Sequence, residues 1–110
     1  MYLDANFFVF VNLADDAQGE RARIILSEIT KNKKAITSSL AIDEMMWAFL
    51  KKQAHEEIRQ AVEDVYATKN LEVKEVPALI PLRALDFMEK HRLKPRDAFH
   101  VSLMEHFGER

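Results

Sequence analysis

Cysteine is absent from the 110 residues, which excludes disulfides and thiolate metal sites and fits a reducing compartment. Glycine occurs twice and proline three times, so few positions demand unusual backbone angles and helices are expected to dominate. No apolar run reaches the ~20 residues that cross a bilayer. The N-terminal stretch MYLDANFFVF comes nearest, and Asp4 and Asn6 interrupt it. The expectation is a cytoplasmic chain with no membrane span and no secretion signal. A net charge of −2 argues against holding a polyanion by bulk electrostatics, so any nucleic-acid contact has to be local.

What is present describes a folded protein. Hydrophobic residues make up 48% and charged residues 31%, a globular rather than a disordered balance. The length suits a single domain over residues 1–110, with no internal repeat, low-complexity tract or linker.

The apolar start Met1–Leu3 reads as a short buried strand that ends at Asp4. A carboxylate in such a stretch needs a reason, because burying an ionised acid without partners is costly. One reason is local: Asp is a favoured N-cap, here for a helix over Ala5–Leu13. Asp15, Asp16, Gln18 and Gly19 mark a turn. Ala22, Ile25, Leu26 and Ile29 then recur at helical spacing within about Gln18–Asn32, and the basic run Lys31–Lys34 suits that helix's C-terminal end.

AITSS reads as a strand whose hydroxyls cap the helix LAIDEMMWAFLKK. That helix is apolar nearly all round, with Glu44 and Lys51 in a narrow polar gap, and is expected to be mostly buried. HEEIRQAVEDVYATKN places Ile58, Ala61, Val62, Val65 and Tyr66 on one stripe of a surface helix. LEVKEV alternates as a strand does. Leu82, Leu85 and Met88 resume helical spacing before His91, and Pro95 and Gly108 bracket a final helix. The order points to an α/β domain with a small three-stranded parallel sheet and helices on both faces.

In open parallel sheets the working crevice lies beyond the carboxyl ends of the strands. Asp4 falls there, Glu44 lies early in the helix after the second strand, and Asp97 lies near the start of the last helix. Converging carboxylates repel one another unless a cation neutralises them, and Mg²⁺ takes such oxygen ligands. Paired ions of this kind support phosphodiester cleavage. Each acid also has a plain structural reading: Asp4 as an N-cap, Asp97 as complement to a helix dipole, and Glu44 as a solvated residue beside Asp43, an equally good carboxylate. Asn6, Ser38 and Ser39 either hydrogen-bond the acids or satisfy backbone groups, and His100 either orients a ligand or packs structurally. The basic run Lys90, His91, Arg92, Lys94, Arg96 is either a phosphate attractor or a solvated loop.

YLDAN, ITSSLAIDEMMWAFLK and LKPRDAFHVSLMEHFG together resemble the PIN-domain family, in particular its small prokaryotic VapC-like members, across essentially the whole chain. The resemblance implies a three-layer α/β/α sandwich around a small parallel sheet. It also implies a ribonuclease dependent on Mg²⁺ or Mn²⁺, with Asp4, Glu44 rather than Asp43, and Asp97 as its acids. Asn6 and Ser38 or Ser39 match supporting positions, and a toxin of this kind has an antitoxin as its natural partner. Family members usually continue into a further strand with a fourth acid, so the chain is expected to be either truncated at its C-terminus or a natural short form. Truncation carries two expectations: self-association through an unpaired sheet edge, and the rival reading of a PIN-fold module that binds protein or nucleic acid without cutting. A haloacid-dehalogenase-like reading shares only Asp4 and is set aside, because Asn6 stands where a second Asp is required.

Overall fold

Three short polar side chains decide where helices begin. Asp4 accepts a hydrogen bond from Phe7 N (3.2 Å) and starts α1, Ala5–Leu13. Asp16 does the same for α2, Ala17–Lys31, through Gly19 N (3.1 Å). Ser38 caps α3, Ser39–Lys51, through Ala41 N (3.1 Å). Each satisfies a backbone donor that a helix N-terminus otherwise leaves without an intrahelical acceptor.

The protein is represented by a computed structural model that describes residues 1–109. It is a mixed α/β structure with a parallel sheet of two strands, β1 (Ala35–Ser38) and β2 (Leu71–Lys74), in the register Ala35 to Leu71 through Ser38 to Lys74. A 3₁₀ turn over His55–Glu57 leads into α4, Ile58–Ala67; α5 spans Ile80–His91 and α6 spans Pro95–His106. No helix among the described residues is long and apolar enough to cross a membrane.

The chain divides into two compact units, one of Leu3–Lys74 and the other of Met1–Tyr2 with Glu75–Arg110. The first unit holds the main core. There Phe8 and Val9 of α1 and Ile29 of α2 cluster with Ile42, Met45 and Phe49 of α3 and with Ala61 and Val65 of α4. All four residues of β1 are buried, as expected for a strand covered on both faces. Asn70, at φ +68°, lets its side-chain amide donate to Ile29 O (2.9 Å) while its own carbonyl accepts from Ala35 N (2.9 Å), tying the end of α2 to both strands. Gly19 is buried in the first turn of α2 rather than in a loop, because a Cβ there would lie 2.1 Å from Ala14 O.

In the second unit α5 packs against α6. Gly108, at φ +67°, ends α6: its N–H donates to Glu105 O (3.1 Å) and the Glu109 N–H to Met104 O (2.8 Å), a Schellman arrangement. Arg83 forks onto Glu105, with Nε and Nη2 at 2.6 and 2.8 Å from its two oxygens, and also reaches Asp86 at 3.1 Å. Hydrogen bonding to Arg83 holds the Glu105 carboxyl below its ordinary range and raises the Arg83 pKa.

Several expectations need correction. The start of the chain is not a strand; Leu3 makes one ladder-like bond, to Ile36 O, and the helix opens two residues later. The sheet therefore has two strands rather than three. Helix α3 is not mostly buried, for Met46, Trp47 and Leu50 are exposed, while Glu44 lies on the covered side and Lys51 in solvent. Tyr66, Leu82 and Leu85 are exposed as well, and Ile80 and Ala84 are the residues that α5 buries.

The Arg83–Glu105 pair generates a pH dependence. A carboxyl with a lowered folded-state pKa contributes stability that is fully present above its ordinary value of 4.5 and is lost as pH falls through the lowered one. Both side chains are solvent-exposed, so the effect is small. The thermal midpoint of the wild type should exceed that of Glu105→Gln at neutral pH, with the gap closing as pH falls below 4.5. A gap that persists unchanged to about pH 2 contradicts this.

Candidate active site

Asp4 is positioned by the residue before it. Leu3 N donates to Ile36 O (2.8 Å), and the Leu3 carbonyl accepts from Thr37 Oγ1 (2.7 Å), so the peptide leading into Asp4 is held to β1 at both ends. Thr37 is 0% exposed. Its hydroxyl thus serves a buried carbonyl that would otherwise lack a side-chain donor, a bond costly to lose. Asp4 itself is exposed. The charge in the apolar N-terminal stretch is therefore solvated, and one carboxylate oxygen is occupied with the cap of α1.

Glu44 sits in the second turn of α3, a helix that packs on α1. It is 9% exposed, whereas neighbouring Asp43 lies in solvent, so burial separates the two acids that helical spacing left equivalent. Glu44 Oε2 is shut off from solvent and accepts no hydrogen bond among the described residues, although the residue makes other interactions. Ser38 is 1% exposed and commits its hydroxyl to the α3 cap, which fixes the helix that carries Glu44. Ser39 and Asn6 are exposed in the first turns of α3 and α1.

Asp97 belongs to the other unit, as the third residue of α6. It is exposed and stands where a negative charge complements the helix dipole. One turn further, His100 shares a 2.7 Å hydrogen bond between its Nδ1 and the Tyr2 hydroxyl, with the rings 5.6 Å apart. Nothing in the sequence links two residues 98 positions apart, so this pair is visible only in three dimensions.

The donor set is the test of whether a metal suits these residues. Asp4, Glu44 and Asp97 offer hard carboxylate oxygens, the ligand type of Mg²⁺ and Mn²⁺, and two of them are open to solvent. In donor type each of the three suits such an ion. No group of three or more His, Asp or Glu side chains among the described residues is already gathered to hold one.

The hold on Leu3 can be tested. Thr37→Val keeps the shape of the side chain but leaves the buried Leu3 carbonyl without its hydroxyl donor, at a cost of about 1–3 kcal/mol. Urea denaturation should show that loss, and an unchanged midpoint would mean that the hydroxyl does not anchor the segment.

The model of the PIN domain matches residues 1–110 of the chain. Among solved structures, the chain is similar to VapC20 of Mycobacterium tuberculosis, a sarcin-ricin loop cleaving toxin. The identity is 19% and the TM-score 0.82, covering 98% of this chain and 83% of that one. At that identity the likeness is one of fold. A search of curated proteins gave no match.

Proposed function

The chain belongs to the PIN domain family, and from that premise we propose that it is a ribonuclease dependent on Mg²⁺ or Mn²⁺ that hydrolyses RNA phosphodiester bonds through Asp4, Glu44 and Asp97. The observation that carries this reading is the family match over residues 1–110. The local geometry supports it: Asp4 directly follows the residue pinned to β1, where open parallel sheets place their ligands.

Each residue has a distinct task. Asp4 is oriented by the Phe7 N–H on one oxygen and turns its remaining acceptor capacity outward. Glu44 is carried on the covered side of α3, where its rotamers are restricted, and Ser38 acts indirectly by capping that helix. With the Ser38 hydroxyl committed, Ser39 and Asn6 are the exposed polar groups left to orient water or substrate. Asp97 contributes from the first turn of α6. When bound, the divalent ion neutralises the acids and lowers the pKa of water at the scissile phosphate.

The same reading makes RNA the substrate and a cognate antitoxin the protein partner, with self-association of the chain and a cytoplasmic setting. The similarity to a toxin that cleaves the sarcin-ricin loop supports the toxin role.

Asp4→Asn is the direct test. Asn caps helices as well as Asp does, so the fold should survive with its thermal midpoint little changed. RNA cleavage in Mg²⁺ or Mn²⁺ should fall by about two orders of magnitude or more, the scale typical for losing one transition-state-stabilising group. Equal cleavage by this variant would overturn the assignment.

A further inference from the structure

Cations in the unit of α5 and α6 are used in two different ways. Arg83 is consumed internally by Glu105 and Asp86. In the turn between the helices and at its edges, Lys90, Arg92, Lys94 and Arg96 stand within seven residues of a chain whose net charge is −2, and all four are exposed. Lys90, Arg92 and Lys94 form no ion pair among the described residues. Lys90 is partly offset by Glu105, whose carboxyl it helps to lower.

The backbone adds a second observation. Arg92 ends α5 in the left-handed conformation, φ +53° and ψ +34°. Glycine occupies such a position without the steric cost that a side chain incurs, so stability of the turn does not account for an arginine there. A third observation is aromatic. Exposed His91 stacks on Phe87, with ring centroids 6.1 Å apart and planes at 28°, and the Arg83 guanidinium lies 4.8 Å from the Phe87 centroid on the same helix. Cations beside a solvent-accessible ring are the combination that holds single strands, where phosphates are met by charge and bases by stacking. A duplex hides the faces of its bases and offers nothing to stack.

We infer that the α5–α6 turn, with Arg92 and Lys94 at its centre and His91 beside them, is a docking surface for the backbone of unpaired RNA. This deepens the ribonuclease reading and rests on it. The turn leads directly into the first turn of α6, which carries Asp97, so a strand held there is delivered next to one of the proposed acids. Contacts of this kind follow phosphate spacing and exposed bases rather than a particular sequence.

The experiment is fluorescence anisotropy of a labelled single-stranded RNA and of the same RNA annealed to its complement, in EDTA to suppress cleavage, across a salt series. Wild type, Arg92→Gly and Lys94→Gln are compared. The wild type should bind the single strand more tightly than the duplex. Each variant should weaken binding severalfold and reduce the slope of log affinity against log salt by about 0.7, the share of one phosphate contact on a single strand. Arg92→Gly should do so while its thermal midpoint holds or rises, which separates loss of a contact from loss of fold. Wild-type binding with unchanged slopes in both variants would overturn the docking surface and leave the ribonuclease reading intact. Preference for the duplex would overturn the choice of unpaired RNA. Neither binding nor cleavage of RNA by the wild type would overturn both.

Discussion

The peptide of Leu3 is bonded to β1 at its N–H and at its carbonyl, and the first unit is arranged around that attachment. The carbonyl bond comes from the hydroxyl of Thr37, which is buried. Because both groups are satisfied, the cost of taking them out of water is met, and the segment has one way to lie on the strand. Asp4 inherits its place from this. It starts α1, and α1 in turn lays Phe8 and Val9 into the core shared with α3 and α4. A strand contact, a helix cap and a core are thereby linked within residues 3–9.

The second unit relies on a different economy. Its helices bury few large side chains, chiefly Ile80 and Leu103 with small Ala84, Ala98 and Ser102 between them. Polar devices at the surface supplement that packing: the Arg83 fork onto Glu105, the Schellman end at Gly108, and the Tyr2–His100 hydrogen bond. Solvent weakens ion pairs of this type, so the buried side chains matter more than the charges.

Local signals were readable in the sequence and long-range ones were not. Asp4 with Ala5–Leu13, Ser38 before α3, and Gly108 after α6 are all short-range rules, in which a side chain or backbone angle acts within a turn of itself. Leu82 and Leu85 show where that reading stops. Helical spacing identifies a stripe but not whether another element covers it, and here solvent does. The same reason hid the exposed side of α3 and the buried role of Gly19, which depends on how closely Ala14 approaches. Met1–Leu3 has strand composition but does not extend the two-stranded ladder. For the candidate site, residue type proposed the acids and the family resemblance chose Glu44 over Asp43; the structure adds that Glu44 is buried and Asp43 exposed. Bringing acids from separate elements together is a matter of long-range packing, which residue spacing does not encode.

The central claim is that these carboxylates take a divalent ion. Calorimetric titration of Mn²⁺ into the chain, with Glu44→Gln and Asp97→Asn as controls, tests it without relying on any RNA. The account predicts saturable binding by the wild type and its loss in either variant. Absence of binding in the wild type, or binding undiminished in both variants, would contradict it.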